Sequence, residues 1–227
     1  PLDEHTLQLR NNLAAAYGRA GRDQEEITLI ESVVEDMTSG LGAGHPSLLN
    51  ARLNLACAYG DHEQVDVAIR HLEALIPDLE GVFGDRNPTT FKARNVLGGM
   101  YREYGRVDEA LDLHSRVYEA TVETFGPEHP LPPVMMNDLA ITHFAAGDHG
   151  QAMALFERCL ADRRRLLGAD HPDSLTTESN LARTLIALGH TGRALDVLEP
   201  LLVRMVAVHG PDAPRVLELR EHVVIAY

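Results

Sequence analysis

The sequence predicts an all-α solenoid of five helix-turn-helix repeats followed by one C-terminal helix. Three observations support this prediction: prolines recur every 42 residues, glycines recur at the same interval, and strong helix formers dominate a chain that is 44% hydrophobic. The prolines are Pro46, Pro88, Pro130, Pro172 and Pro214. The glycines are Gly42, Gly84, Gly126, Gly168 and Gly210, with a second series of Gly21, Gly105, Gly147 and Gly189 in which Glu63 takes the second place.

These intervals predict repeats near residues 1–42, 43–84, 85–126, 127–168 and 169–210, and a terminal helix over 214–227. Residues 1–227 are therefore expected to form a single solenoid. In each repeat the first helix begins at the recurrent proline, because a proline in the first helical turn loses no hydrogen bond. Asn87 is the expected N-cap before Pro88. The glycine of the second series is expected to form the turn between the two helices, in a left-handed conformation.

Prolines elsewhere predict local irregularities. Pro77 and Pro200 fall within second helices, where each removes an N–H donor and crowds the preceding turn, so we expect bends or interruptions there. Pro130, Pro132 and Pro133 are expected to delay or distort the first helix of the fourth repeat.

The pattern within each repeat separates two families with repeats of this length. HEAT repeats have about 40–47 residues, and tetratricopeptide repeats (TPRs) usually have about 34. The first helices contain Leu13-Ala14-x-x-Tyr17, Leu55-Ala56-x-x-Tyr59 and Leu97-Gly98-x-x-Tyr101, with weaker copies at Leu139-Ala140-x-x-His143 and Leu181-Ala182-x-x-Leu185. The second helices contain a small residue four positions before a larger one, at Ala68, Ala110, Ala152 and Ala194. This pattern resembles the TPR signature.

The 42-residue length and the Gly-x-x-His-Pro segment at Gly126–Pro130 resemble the kinesin-light-chain type of TPR. The resemblance implies an open right-handed superhelix of ten paired helices plus a terminal one. It also implies a protein-binding role, and arrays of this type occur in bacteria, often as sensor regions beside signalling ATPases.

Composition argues against several classes of partner. The formal net charge of −14 disfavours nucleic acid and anionic membrane surfaces. No apolar segment is long enough to span a membrane, and nothing resembles a signal peptide, so we expect a cytoplasmic protein. Cys57 and Cys159 show neither disulfide nor zinc spacing.

Helical geometry predicts a peptide-binding wall on the concave side. If Leu13, Ala14 and Tyr17 face the core, the residues roughly opposite them on each first helix are exposed. The predicted binding residues are Gln8, Asn11, Asn50, Leu53, Lys92, Asn95, Gly99, Val134, Asn137, Ile141, Ser179 and Arg183. Asn11, Asn95 and Asn137 form a column of amides, which offer both donors and acceptors to a peptide backbone. In kinesin-light-chain arrays asparagines in this stretch help to hold cargo peptides, and the resemblance implies the same role here.

Recurrent arginines and histidines can be explained either by a structural role or by ligand binding. Arg10, Arg52 and Arg94 recur on the buried side, where they either pair with carboxylates such as Glu35, Asp36 or Asp78, or bind an anionic ligand. His45, His129 and His171 belong to the repeat pattern and are expected in loops and caps.

Core positions follow from the same repeat pattern. His114 and Phe156 are expected in the core, and Cys159 shares an apolar column with Val33, Leu75, Val117 and Leu201. Val223, Val224 and Tyr227 of the terminal helix are expected in buried columns, which would make that helix a cap.

The residues therefore predict an interaction module rather than an enzyme. No phosphate-binding glycine loop, GxSxG motif or metal-ligand spacing occurs, so no cofactor or metal is expected. The leading interpretation is a groove that captures a peptide or protein partner. Two alternatives remain: a ligand-sensing or autoinhibitory segment of a larger signalling ATPase or regulator, and an enzyme subunit in which the array positions a separate catalytic domain.

Overall fold

The computed structural model describes residues 3–227, and within this range it consists of α-helices without strands. The helices are α1 Glu4–Arg19, α2 Asp23–Leu41, α3 Pro46–Asp61, α4 Val65–Phe83, α5 Pro88–Glu103, α6 Val107–Phe125, α7 Leu131–Ala145, α8 His149–Leu167, α9 Pro172–Ala187, α10 Thr191–His209 and α11 Pro214–Ala226. Odd-numbered helices up to α9 are the first helices of the five repeats, and even-numbered helices are the second. The predicted all-α helix-turn-helix repeats are confirmed.

The chain divides into two compact units, residues 3–113 (unit 1) and His114–Tyr227 (unit 2). In unit 1, α1 packs on α2 and α3 packs on α4, while α2 and α4 also pack on the first helix that follows each of them. In unit 2 the same arrangement holds for α7 with α8, α8 with α9, and α9 with α10. Each unit therefore has its own apolar core, built from the facing stripes of neighbouring helices.

The turns between paired helices require a left-handed backbone. Four of the five repeats have glycine there, for example Gly105 with a φ of 84° and Gly147 with a φ of 79°. Glu63 has the same conformation, with a φ of 63°, although it carries a Cβ. Glycine adopts this region without steric cost, so the recurrent glycine is explained by the turn, and the second repeat keeps the turn despite a less suitable residue.

First helices begin with side-chain caps. The Asn87 amide oxygen accepts a hydrogen bond from the Thr89 N–H at 2.8 Å. His45 and His171 accept equivalent bonds through Nδ1, each at 3.2 Å. The recurrent histidine of the His-Pro segment is thus a helix cap, as predicted. Helix α7 begins at Leu131, one residue later in the repeat than the other first helices, which confirms the expected delay.

Pro77 and Pro200 do not interrupt their helices, so the expectation of an interruption was wrong. Helices α4 and α10 are continuous over 19 residues, as are the second helices without an internal proline. Both prolines are on the exposed side. The carbonyl that each proline leaves without its helical donor can therefore be hydrated, which reduces the cost of the missing hydrogen bond.

The arginine column forms ion pairs with neighbouring second helices. Arg10 contacts Asp36 at 2.6 Å and Arg52 contacts Asp78 at 2.7 Å, in each case 26 residues further along. Arg94 pairs with Glu80 at 2.9 Å. The structural interpretation of this column is therefore confirmed.

The fifth repeat has the same pair with the charges reversed. Glu178 occupies the arginine position, and its carboxylate accepts two hydrogen bonds of 2.6 Å from Arg204, again 26 residues later. Arg164 reaches the same carboxylate at 2.8 Å. Because the Glu178 side chain is almost completely buried, this carboxylate depends on both guanidinium groups for its charge balance.

The core positions predicted for the second helices are confirmed, whereas Leu13 of α1, which was expected to face the core, is 47% exposed. His114, Phe156 and Cys159 are fully buried, and the His114 Nδ1 atom lies 2.8 Å from the Thr142 hydroxyl. Burial raises the pKa of the Cys159 thiol to about 11, so the thiol is neutral at physiological pH.

The terminal helix α11 packs on the last repeat as predicted, but two of the residues expected in buried columns are exposed. It packs on α10 and α9 through Val216, Leu219 and Ala226. Val224 and Tyr227, which were expected in buried columns, are 74% and 83% exposed. The corresponding residues of α9, Ala182 and Leu185, are buried beside α10, and none of the described residues takes that place for α11. The described helices contain none whose length and apolar character would suit a membrane span.

Candidate functional site

The candidate site is the side of the first helices that lies away from the second helices; we call it the first-helix face and describe it for each unit separately. In unit 1, Gln8, Asn50 and Lys92 are exposed. Asn11, Asn95 and Gly99 are half-buried. The face in unit 1 is therefore largely polar, with one cation at Lys92.

Leu53 does not belong to this exposed surface, and the sequence prediction was wrong about its exposure. It is only 2% exposed and lies in the same buried cluster as Ala14 and Ala93, from α1 and α5. Adjacent first helices contact each other directly, and this contact covers one edge of the predicted face.

Asn11 carries an unsatisfied acceptor on the unit 1 part of this face. Its Oδ1 atom is shielded from solvent and accepts no hydrogen bond from the described residues. A buried acceptor without a donor costs free energy, which a ligand N–H group would recover. Gly99, on α5, leaves open space: a Cβ placed there meets no heavy atom within 4 Å.

Cys57 lies on the same side, next to Lys92. Burial raises the pKa of its thiol, with Lys92 acting in the opposite direction and Asp61 adding to the rise. The thiol is therefore predominantly protonated at neutral pH, which makes Cys57 a poor nucleophile. Burial also raises the pKa of the Asp61 carboxyl group, and the nearby Glu26 contributes to this effect.

In unit 2 the face combines apolar and cationic groups. Val134 is exposed, while Ile141, Ser179 and Arg183 are half-buried. The Arg183 guanidinium lies 4.8 Å from the centroid of the Phe144 ring, a cation–π geometry, and its Nε atom has no partner among the described residues.

Asn137 is not on the surface of unit 2, contrary to the predicted column of exposed amides. It is only 7% exposed, and the Thr177 hydroxyl on α9 lies 3.4 Å from its Oδ1 atom. The neighbouring first helix thus covers Asn137, in the same way that first-helix contacts cover Leu53. Asn11, Asn95 and Asn137 share a repeat position but differ in burial.

The sequence interpretation missed a polar network that begins at Asn137. Thr177 also accepts a hydrogen bond of 2.7 Å from Arg163 on α8, and Arg163 is itself only 6% exposed. A signal for this network was present in the repeat pattern, since Arg163 occupies the column of three apolar residues, namely Met37, Leu79 and Met205.

The histidines do not assemble a metal site in the described part of the chain. No group of three or more histidine, cysteine, aspartate or glutamate side chains is placed to hold a metal ion there. His62, for example, pairs with Glu26 at 3.0 Å and Asp23 at 3.2 Å, which is an acid–base contact between helix ends.

Comparison with known proteins agrees with the fold. Family models described as tetratricopeptide repeat match residues 6–47, 89–165 and 133–200. No curated protein matches the chain in a sequence comparison.

Three solved structures with the same fold come from different kinds of protein. The nearly identical TPR-like repeats assigned to a kinesin light chain of Podosopora anserina are 28% identical, with a TM-score of 0.73 over 92% of this chain and 99% of that chain. A signal-transduction ATPase with a TPR sensor from Pyrococcus horikoshii is 12% identical with a TM-score of 0.74, and the match covers 99% of this chain but only 34% of that protein. A Rap protein complexed with competence and sporulation factor is 9% identical with a TM-score of 0.79, over 97% of this chain and 62% of that chain.

The last two similarities, below 25% identity, concern the fold alone. The family models together cover more than half of the chain, and the kinesin-light-chain repeats agree in both repeat type and fold. The chain belongs to the tetratricopeptide-repeat family, with repeats of the kinesin-light-chain type.

Proposed function

We propose that the chain is a non-catalytic interaction scaffold whose first-helix face binds an extended, not strongly basic peptide or protein segment. The TPR fold supports a protein-interaction scaffold in general. The observation that carries the more specific proposal is the Oδ1 atom of Asn11, which is shielded from water and has no donor among the described residues. A peptide N–H group would supply that donor.

The surroundings of Asn11 suit a peptide backbone. Asn50 is exposed on the neighbouring α3, and its amide offers a donor and an acceptor regardless of peptide sequence. Gly99 leaves space for close backbone approach. Lys92 is placed to meet an acidic side chain, which is consistent with a ligand that is not strongly basic.

Unit 2 would add contacts of a different kind. Val134 and Ile141 offer apolar surface, and the Nε atom of Arg183 is an unused donor. Asn95, Ser179 and Gln8 remain part of the proposed surface.

A pair of glycine substitutions tests the position of the site. Gly99→Leu fills open space on the first-helix face, whereas Gly81→Leu fills open space on the second helix α4. Both glycines are helical with space around the missing Cβ, so both variants should gain about 0.5–1 kcal/mol of helix stability. Peptides selected from a random display library with the parent chain should lose binding to Gly99→Leu and retain it to Gly81→Leu.

Amide substitutions test the chemistry. Asn11→Ala combined with Asn50→Ala removes two amides from the face, and Asn12→Ala removes an exposed amide one residue away as the matched control. At about 0.5–1.5 kcal/mol for each lost hydrogen bond, affinity for a selected peptide should fall roughly 5- to 150-fold. Unchanged affinity in the double variant and in Gly99→Leu would place the binding surface elsewhere, such as the acidic second helices.

A second candidate function is ligand sensing or autoinhibition within a larger signalling ATPase or regulator. The similarity in fold to the TPR sensor of the Pyrococcus horikoshii ATPase favours this candidate. The full gene tests it: a phosphate-binding loop motif in the same reading frame would support sensing, and a gene without any nucleotide-binding or regulatory domain would argue against it.

A further inference from the structure

A cavity of about 230 Å³ lies within unit 2, between the starts of α7 and α9 and the C-terminal half of α8. Its lining is mostly apolar but includes a buried arginine. The lining residues are Pro130, Pro133, Val134, Arg163, Leu166, Leu167, His171 and Asp173.

Arg163 has an incomplete set of partners. Its Nη1 atom donates to the Asp173 carbonyl oxygen at 2.9 Å and to the Thr177 hydroxyl at 2.7 Å. Its Nε atom is shielded from solvent and has no partner. None of the described carboxylates forms an ion pair with it within 4.0 Å. A guanidinium is always charged, and a buried charge without a counter-ion is destabilising, so this arginine is not explained by stability.

The repeat architecture does not need a charge at this position. The equivalent residues of the other repeats are all buried and uncharged: Met37, Leu79, Thr121 and Met205. Thr177, which orients Arg163, likewise stands where the corresponding first-helix residues are apolar, namely Leu9, Ala51, Ala93 and Met135. A charged residue and a hydroxyl residue therefore occur together at a single place in the array, and they contact each other beside a cavity.

We propose that this cavity binds a carboxylate attached to an apolar group, with Arg163 as its counter-ion. The planar guanidinium matches a carboxylate through parallel N–H donors, and Nε is one of the two donors needed for that geometry. Pro133, Val134 and Leu166 would contact the apolar group. A phosphate dianion fits less well, because one arginine balances only part of its charge.

This inference does not depend on peptide binding by the first-helix face. Val134 borders both sites, so an acidic residue of a bound segment is one source of the carboxylate. A free chain terminus and a small branched carboxylic acid are two others with the same chemistry.

Titration of the unmodified chain with isovalerate, followed at the ¹⁵N side-chain signal of Arg163 Nε, tests the proposal directly. Isovaleramide has the same shape without the charge. We expect a saturable shift with isovalerate and at least roughly tenfold weaker binding of the amide, since a charge-assisted hydrogen bond contributes about 1.5–3 kcal/mol. No saturable shift, equal binding of both probes, or tighter binding of inorganic phosphate would overturn it.

Two arginine variants locate the binding site. Arg163→Met introduces the residue found at two equivalent positions and should abolish isovalerate binding, whereas Arg183→Met, a second half-buried arginine of unit 2, should leave it unchanged. If Arg163→Met still binds isovalerate, Arg163 is not the counter-ion. If that variant does not fold, the comparison of isovalerate with isovaleramide on the parent chain still tests the proposal.

Blocked peptides distinguish the source. Acetyl-Leu-Glu-Leu-amide presents a side-chain carboxylate, and acetyl-Leu-Leu with a free terminus presents a main-chain carboxylate. Of the two peptides and isovalerate, the ligand that binds most tightly identifies the source of the carboxylate. If none of the three binds, the proposal is overturned. Gly99→Leu, in unit 1, should bind isovalerate normally, so loss of peptide binding there is separable from loss of the carboxylate site.

Discussion

Replacing Glu63 with glycine should stabilise unit 1. Glu63 has a φ of 63°, in the region that costs an L-residue about 1–2 kcal/mol. Its turn has the same hydrogen bonds as the glycine turns: the Gln64 N–H donates to the Tyr59 carbonyl at 2.8 Å, as Arg106 does to Tyr101 at 2.8 Å. The backbone therefore needs no rearrangement when glycine is introduced.

The expected gain is smaller than the strain that is removed. Glycine increases the conformational freedom of the unfolded chain, which costs about 0.4–1 kcal/mol, so the net stabilisation should be roughly 0.5–1 kcal/mol. The Glu63 side chain is exposed and forms no hydrogen bond or ion pair with the described residues, so its removal sacrifices no side-chain contact. Urea denaturation should show a higher midpoint with an unchanged slope.

Two controls separate strain from charge. Glu63→Ala removes the same negative charge but keeps a Cβ in the left-handed conformation, so it should not stabilise the chain. Gly105→Glu places the strain in the next turn of the same unit and should destabilise by a similar amount. If Glu63→Ala stabilises as much as Glu63→Gly, charge relief in an acidic protein, rather than backbone strain, is the cause.

Three further predictions concern buried side chains. Phe156→Ala should destabilise by about 3–5 kcal/mol in a denaturation experiment, because the ring is fully buried; a loss below 1 kcal/mol would contradict that packing. Glu178→Ala should destabilise the chain by about 3–5 kcal/mol, because it leaves Arg204 without its buried partner. Adding Arg204→Ala should reduce this loss of stability markedly; if the two losses simply add, the ion pair does not contribute. Burial raises the pKa of the Cys159 thiol to about 11, so this thiol should contribute fully to stability below pH 9, its ordinary pKa, and progressively less as the pH rises to about 11. Cys159→Val should reduce this loss of stability at high pH, and an unchanged pH profile of stability would contradict the prediction.

The sequence alone determined the repeat architecture and most of its local chemistry. A 42-residue period specifies where helices begin and end, because proline, the capping residue and glycine act on the backbone within a few residues of themselves. Ion pairs of the Arg10–Asp36 type were predictable from the repeat: an arginine on the buried side requires a partner, and Asp36 and Asp78 stand 26 residues after Arg10 and Arg52. The TPR family was therefore evident before the fold.

Only the tertiary structure decided which parts of the first-helix face are open. A helical projection gives the direction of a side chain from its own axis, but Leu53 and Asn137 are covered by neighbouring first helices, which that projection does not include. Pro77 was similarly tolerated because its side of the helix faces solvent. The cavity beside Arg163 depends on three helices at once: the sequence contained the anomalous arginine, but the space beside it exists only after those helices pack.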